Sequence, residues 1–240
     1  MRKFILSAVL FLGCSLSIAT AQASPIDPET KSQQAWWKNR YEDQVKALKE
    51  QPCDILFLGD SITDYWATTG KKVWDSAWAP LKALNFGISG DKTGNLIWRI
   101  DDSKLPTLSD PKVCVVMIGT NNTGHYKCGE APEKTAIGVL TVVQRLLLRY
   151  PDTQVVLLAI FPRGATPQDP MRIHNDKINK ILAATRLPRM HFVDINKKFL
   201  DPHGQFLPGV TRDQLHPTEK GYQIWASSLL PTVKKILTQQ

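Results

Sequence analysis

Residues 54–63, with the sequence DILFLGDSIT, join a short apolar run to a polar turn that carries a serine. The run 54–58 is typical of a buried β-strand. Gly59 allows a close backbone turn, and Asp60 can bond nearby backbone groups. A serine just after a buried parallel strand lies at the carboxyl edge of the sheet, where open α/β proteins bind ligands. Ser61 is therefore a candidate reactive residue, and the alternative interpretation is a strand-to-helix cap without chemistry.

Apolar runs and helical spacings alternate along the rest of the chain. Strands are predicted at 54–58, 83–86, 113–118, 154–160 and 191–195, and helices at 36–50, 73–79, 93–102, 131–149, 171–186 and 218–238. This alternation predicts βαβ units and a parallel sheet that helices cover on both faces. The continuous apolar character of 154–160 is typical of a central parallel strand.

Residues 1–23 have the features of a secretory signal peptide. Two basic residues precede a largely apolar stretch at 4–18, and Ala21-Gln22-Ala23 offers a small-x-small cleavage site near Ala23-Ser24. The apolar stretch is short and interrupted by serines, so no stable membrane span is expected. We therefore expect a secreted or periplasmic protein. A retained anchor, or a lipoprotein modified at Cys14, is the alternative.

Residues 24–35, with two prolines and no apolar periodicity, are expected to form a flexible N-terminal segment. Residues 36–240 suit a single domain with a substantial core. The formal net charge of the whole chain is +8, but its basic residues are interspersed with acidic ones. That pattern is typical of a solvated surface and gives no indication of nucleic-acid binding.

The cysteines give no indication of a metal site. Cys53, Cys114 and Cys128 follow the predicted cleavage site, so their odd number leaves at least one thiol unpaired. Cys114 lies within the apolar run 113–118 and is most simply a buried core thiol. No Cys-His cluster has the spacing of a zinc site.

Two polar segments follow other predicted strands. Residues 85–91, NFGISGD, contain glycines that allow a turn with backbone N–H groups aimed into a cleft, and Gly90 is the candidate donor. Residues 119–122, GTNN, place Asn121 where a side-chain amide can donate to an oxyanion. The alternatives are a phosphate-binding loop for the first segment and an ordinary turn asparagine for the second.

The segment Asp213-Gln214-Leu215-His216-Pro217 precedes a predicted helix with Thr218 as its cap. A serine hydroxyl becomes a good nucleophile when a base takes its proton, and histidine titrates near the required pH. An aspartate three residues earlier can hold that imidazole in the correct tautomer. His216 and Asp213 are therefore the candidate base and orienting carboxylate, although an isolated D-x-x-H is more often a surface loop.

Together these segments resemble the SGNH or GDSL hydrolase family, with Ser61, Gly90, Asn121 and His216 matching its four motif blocks in order. The first block reads GDSI rather than GDSL. Residues 84–91, 97–99, 115–125 and 161–164 look like the catalytic subunits of platelet-activating factor acetylhydrolase Ib. The resemblance covers about residues 53–230.

The resemblance implies a three-layer α/β/α domain with a five-stranded parallel sheet in flavodoxin-like order. It implies a serine esterase for short acetyl O-esters that needs no cofactor. The site it implies comprises a Ser61, His216 and Asp213 triad, an oxyanion hole from Ser61, Gly90 and Asn121, and an acyl pocket lined by Ile62, Thr120 and Leu215.

Alternatives remain for the substrate. An exported protein meets glycans, so a carbohydrate O-acetylesterase is one, with Trp66, Trp74, Trp78 and Trp98 as a sugar-stacking face or, more commonly, core. A noncatalytic glycan- or lipid-binding module is another. A homodimer is left open. Four further histidines carry no catalytic role in this interpretation: His125 is expected to line the cleft, and His174, His191 and His203 to be surface, strand-end and turn residues.

Overall fold

The computed structural model describes residues 24–106, 110–125 and 127–239. The strands are β1 Ile55–Gly59, β2 Ala83–Gly87, β3 Val113–Met117, β4 Gln154–Leu158 and β5 Met190–Val193. The helices are α1 Ala35–Glu50, α2 Ser61–Asp64, α3 Lys71–Ala77, α4 Thr93–Asp101, α5 Thr120–His125, α6 Pro132–Arg149, α7 Pro170–Ala184 and α8 Glu219–Leu237. Each predicted strand and helix is present with its ends shifted by at most two residues. The short helices α2 and α5 have no counterpart among the predicted helices.

The five strands form one sheet in the order β2-β1-β3-β4-β5, and every neighbouring pair is parallel. This is the flavodoxin-like order, as expected. The chain passes from β1 to β2 on one side and then returns to β3 on the other. Loops that follow these strands therefore diverge and leave a crevice at the carboxyl edge. Gly59, Gly87 and Met117 are in register, so the three strands end at the same level.

Alternate residues of each strand face opposite helical layers. Leu56 and Leu58 of β1 pack in a cluster with apolar residues of α1, α4, α6 and α7. Ile55 and Phe57 pack in a second cluster with residues of α3 and α8. Because both faces of the sheet are covered, the central strands β1 and β3 are buried at every position. The domain has the predicted three layers.

The tryptophans belong to these clusters. Trp66 and Trp78 have no exposed surface, and Phe57 packs edge-on against both rings. Trp74 and Trp98 are partly buried against the same apolar clusters. The proposed sugar-stacking face is therefore wrong for Trp66 and Trp78, because a ring without exposed surface cannot stack on a sugar.

The N-terminal segment expected to be flexible lies against the start of α4. Thr93 Oγ1 donates to the carbonyl of Pro25 at 2.7 Å, and the Glu29 N–H donates to the carbonyl of Gly94 at 3.0 Å. A side chain at Gly94 would collide with the backbone of Asp27 at 2.4 Å. These contacts fix the segment against the domain rather than leaving it free.

The proposed signal peptide and Cys14 lie outside the described residues. Among the helices of residues 24–106, 110–125 and 127–239, none is both long and apolar enough to cross a membrane.

Candidate active site

Ser61 is the first residue of α2 and follows directly from the end of β1. The turn is held by Asp60, whose Oδ1 accepts the backbone N–H of Ile62 at 3.0 Å. A Cβ at Gly59 would lie 2.4 Å from the carbonyl oxygen of Met117, so the turn requires glycine at this position. The hydroxyl of Ser61 is thus carried to the carboxyl edge of the sheet on a short, tightly anchored turn.

His216 approaches Ser61 from the loop before α8. Its Nε2 lies 2.9 Å from Ser61 Oγ, and its Nδ1 lies 2.6 Å from Oδ2 of Asp213. The loop is tight because Gln214 adopts a left-handed conformation with φ of 62°. Thr218 caps α8, as predicted, by accepting the N–H of Gly221. The three candidate residues therefore form one continuous hydrogen-bonded series.

The Asp213 carboxylate is held in its ionised form. Partial burial alone would raise its pKa, but hydrogen bonds from the side chain and backbone of His216 outweigh burial and lower the pKa of Asp213. The backbone bond runs from the His216 N–H to Oδ1 at 2.7 Å. An ionised carboxylate at this position can orient the imidazole of His216.

Gly90 and Asn121 lie on the segments that follow β2 and β3, and a hydrogen bond joins the two segments. Gly90 has φ of 76°, a left-handed conformation that favours glycine. Asn121, the second residue of α5, donates from Nδ2 to the carbonyl of Asp91 at 3.0 Å. The hydrogen bonds found among the described residues include none donated by the backbone N–H of Ser61 or Gly90. These two N–H groups and the second Asn121 amide hydrogen are available to an acceptor.

The three residues expected to line the acyl pocket differ in exposure. Ile62 and Thr120 have no exposed surface, whereas Leu215 is half-buried. The Tyr222 hydroxyl donates to the carbonyl of Ile62 at 2.7 Å, and Arg163 Nη1 donates to Thr120 Oγ1 at 3.1 Å. Ile62 and Thr120 expose no surface that could line an open pocket, so their role in an acyl pocket stays a prediction.

Beneath the site lies a buried ion pair that sequence reasoning missed. Arg99 and Asp91 have no exposed surface, and Arg99 Nε donates to Asp91 Oδ2 at 2.9 Å. Arg99 also donates to the carbonyl of Phe86 at 2.8 Å and of Gly59 at 3.2 Å. Trp37 Nε1 donates to the other carboxylate oxygen of Asp91 at 2.7 Å. This network ties the ends of β1 and β2 to the loop that carries Gly90.

A second arginine that the sequence analysis did not identify, Arg172, connects α7 to the loop at residues 163–164. Arg172 of α7 donates to the carbonyls of Arg163 and Gly164, at 2.9 and 2.7 Å. The Gly164 N–H in turn donates to the carbonyl of Gln214 at 2.9 Å. The loop that carries His216 is thus held to α7 through residues 163–164.

The remaining histidines and the cysteines lie outside this arrangement. His191 of the edge strand β5 pairs with Gln154 of β4, and His203 lies in an exposed turn. The expectation that His174 is a surface residue is wrong: it is 7% exposed within α7, and burial lowers its pKa. The three described cysteines Cys53, Cys114 and Cys128 are free, and Cys114 is fully buried as expected. Residues 24–106, 110–125 and 127–239 contain no group of three His, Cys, Asp or Glu side chains that could hold a metal ion.

Similar sequences point to ester hydrolysis. The model of the GDSL-like lipase/acylhydrolase family matches residues 57–224. The platelet-activating factor acetylhydrolase IB subunit alpha1 of Bos taurus is 32% identical over 205 residues, which cover 85% of this chain and 84% of the bovine protein.

Solved structures share the fold. A GDSL-like lipase from Bacteroides thetaiotaomicron superposes with a TM-score of 0.67 at 20% identity, covering 82% of this chain and 97% of that protein. An acetylxylan esterase from Geobacillus stearothermophilus superposes with a TM-score of 0.57 at 22% identity, covering 77% and 94%. The sequence match and the shared fold together show that this chain belongs to the GDSL-like lipase/acylhydrolase family and is a carboxylic ester hydrolase.

Proposed function

We propose that this protein hydrolyses short-chain O-esters, acetyl esters above all, with Ser61 as nucleophile, His216 as base and Asp213 as orienting carboxylate. The observation that carries the proposal is the unbroken hydrogen-bonded series from Ser61 Oγ through the imidazole to Asp213. A serine hydroxyl needs a base in contact with it, and the base needs a partner that fixes its tautomer. Both requirements are met by distances below 3 Å.

The reaction proceeds in two halves. Ser61 Oγ attacks the ester carbonyl carbon while its proton passes to Nε2 of His216. The tetrahedral intermediate then expels the alcohol, which takes that proton, and leaves an acyl group on Ser61. In the second half, His216 takes a proton from water as it attacks the acyl carbon. Collapse of the second intermediate returns the proton to Ser61 Oγ and releases the carboxylic acid. Apart from the attacking water, the groups that act on the ester belong to the chain.

The negative charge of each tetrahedral intermediate develops on the former carbonyl oxygen. The donors we assign to it are the backbone N–H groups of Ser61 and Gly90 and the amide of Asn121. The amide has two hydrogens, and only one is needed for its bond to Asp91. Losing one such donor typically costs roughly 100- to 1000-fold in turnover.

We infer a preference for a small acyl group from the close packing of the residues next to Ser61. Ile62 and Thr120 flank the nucleophile and the oxyanion donor, and both are fully packed. Half-buried Leu215 is adjacent to the base. The bovine relative is named an acetylhydrolase, which agrees with an acetyl preference.

The alcohol portion of the substrate is either a lipid or a glycan. The acetylxylan esterase shares only the fold, so it supports the carbohydrate alternative weakly. The test is acetate release by the purified protein from p-nitrophenyl acetate, from acetylated xylan and from an acetyl glycerophospholipid. Hydrolysis of p-nitrophenyl acetate supports the proposal, and its absence with a folded protein contradicts it. The ratio of the other two rates identifies the substrate class.

Export is proposed from residues 1–23 alone. Expression of the full chain in a bacterial host, followed by N-terminal sequencing of the secreted or periplasmic protein, should give Ser24 as the first residue. A homodimer is likewise a proposal, and sedimentation velocity of the mature protein tests it.

A further inference from the structure

The loop that carries Gly90 is anchored from several directions. Ser89 donates from Oγ and from its backbone N–H to Asp64 Oδ2, at 2.7 and 3.2 Å. Asn121 holds the carbonyl of Asp91 at 3.0 Å. Both anchors come from elements that follow the strands of the site. A third anchor comes from the N-terminal segment, far away in sequence.

Lys31 provides this third anchor. Its Nζ donates to the carbonyl of Gly90 at 2.6 Å and lies 3.6 Å from Oδ1 of Asp91. The side chain is only 13% exposed, so the ammonium is largely withdrawn from water. Hydrogen bonds from a charged donor are shorter and about twice as strong as neutral ones. Lys31 therefore restrains the Gly90 carbonyl more firmly than a neutral donor would.

Gly90 needs such a restraint because it has no side chain of its own to pack. It adopts a left-handed conformation, and glycine populates positive and negative φ about equally in the absence of other constraints. A Cβ built on Gly90 would have only Lys31 Nζ within 4 Å, at 3.7 Å. The Gly90 carbonyl and the Gly90 N–H belong to successive peptide groups that share the Gly90 Cα. The Lys31 bond therefore restrains the N–H by fixing the carbonyl on the other side of that Cα.

The position of Lys31 depends on the docking of residues 24–34, here called the N-terminal strap. The strap bonds to the first turn of α4 through Glu29, whose carbonyl accepts from Asn95 Nδ2 at 2.8 Å. Gly94 leaves room for it, because any side chain there would meet Asp27. The strap is therefore seated by contacts that do not involve Lys31 itself.

We propose that Lys31, delivered by the N-terminal strap, is a positioning residue that holds the Gly90 N–H towards the oxyanion. This inference rests on the proposed function, because it assumes that Gly90 is an oxyanion donor. It adds to that function a residue outside the four motif blocks. It also makes the strap a working part of the active site.

The first test compares Lys31→Met, which keeps the length of the side chain but loses the charge and the donor, with Lys31→Arg. On p-nitrophenyl acetate we expect Lys31→Met to lower kcat about tenfold or more with little change in KM, because the oxyanion forms only in the transition state. Lys31→Arg should recover most of this loss. Lys38→Met is the matched control, since Lys38 is an exposed residue of α1 whose ammonium pairs with Glu42 at 3.3 Å.

The second test displaces the strap without changing Lys31. Gly94→Ala should lower kcat in the same way, although alanine favours the helix that it enters. Thermal unfolding followed by circular dichroism shows at which temperatures each variant is folded, and the assays are run at those temperatures. Wild-type kcat in Lys31→Met overturns the role of Lys31, and wild-type kcat in Gly94→Ala overturns its delivery by the strap. A change in KM alone overturns the inference as a whole. Ser61→Ala is assayed in parallel to separate the inference from the proposed function. If Ser61→Ala is inactive and Lys31→Met is fully active, the role of Lys31 is wrong and the proposed function stands. If Ser61→Ala is active, both are wrong.

Discussion

The imidazole Nδ1 of His216 lies 2.6 Å from Oδ2 of Asp213, three residues earlier in the chain. The other oxygen of the same carboxylate accepts the backbone N–H of His216 at 2.7 Å. The two residues are therefore locked together within one turn, whose left-handed Gln214 allows the reversal. A base and its orienting carboxylate thus reach Ser61 as a rigid unit on a single loop.

We expect His216→Ala to reduce kcat/KM for p-nitrophenyl acetate about as much as loss of the nucleophile, because groups that act as one unit have non-additive effects. Asp213→Asn should lower kcat/KM roughly 100- to 10,000-fold, because the imidazole of His216 would then be held in the wrong tautomer. His203→Ala is the matched control, because His203 lies in an exposed turn. An active His216→Ala would contradict the assignment of the base.

The buried pair of Arg99 and Asp91 should matter for stability. Arg99→Met leaves the Asp91 carboxylate buried without its main partner, and breaking a buried pair in this way typically costs about 3–5 kcal/mol. Arg145→Met removes a half-exposed pair with Asp101 at 3.6 Å and should cost less than about 1 kcal/mol. Urea unfolding of both variants measures the difference. Equal free energies of unfolding would show that the buried network does not stabilise the fold.

Asp60 should make stability depend on pH. Burial raises the pKa of Asp60 to about 7, the bond from the Ile62 N–H opposes this, and the charge of Asp91 adds to it. Between about pH 4 and pH 7 the folded chain keeps a proton on Asp60 that the unfolded chain has lost, so this group lowers the stability of the fold as pH rises. Its Oδ2 has no hydrogen-bond partner within the described residues, which is consistent with a neutral group.

Asp60→Asn removes this titration. We therefore expect the free energy of unfolding of the variant, relative to wild type, to rise by more than about 1 kcal/mol between pH 4 and pH 7.5. Urea titrations at several pH values measure the trend. A difference that is constant with pH, or that falls as pH rises, would show that Asp60 is ionised throughout this range in the folded protein.

Three of the motif residues could be predicted from the sequence because each lies in the short segment that follows an apolar strand. Ser61, Gly90 and Asn121 follow β1, β2 and β3, whose carboxyl ends meet by the rules of parallel sheets. Lys31 could not be predicted in this way, because it reaches Gly90 across 59 positions of the chain. It lies in a segment without apolar periodicity, and such segments carry no signal of where they dock.

Arg99 did leave a signal in the sequence. It stands in α4 among Leu96, Ile97 and Ile100, where a helical pattern predicts an apolar, buried face. A charged residue in a buried stripe requires a buried partner, and Asp91 is that partner. Helix α5 left no such signal, because its six residues are polar or small.

Acyl-chain selectivity tests the surroundings of the nucleophile. Extra methylenes forced into a packed site typically cost about 1–3 kcal/mol, and about 1.4 kcal/mol corresponds to tenfold in rate. We expect kcat/KM for acetate esters to be at least roughly tenfold higher than kcat/KM for octanoate esters. Leu215→Ala should lower this ratio. A p-nitrophenyl ester series from two to eight carbons gives the measurement. If the wild-type protein prefers octanoate esters, the small acyl pocket is contradicted and a lipase-like groove is indicated instead.

The central claim is that Ser61 is the nucleophile, and kcat/KM of Ser61→Ala on p-nitrophenyl acetate tests it most directly. The substitution removes one oxygen that is bonded to His216, so thermal unfolding should remain close to that of wild type. The account predicts a folded variant whose ester hydrolysis falls to background. A purified, folded Ser61→Ala that keeps more than a few per cent of wild-type activity would contradict it.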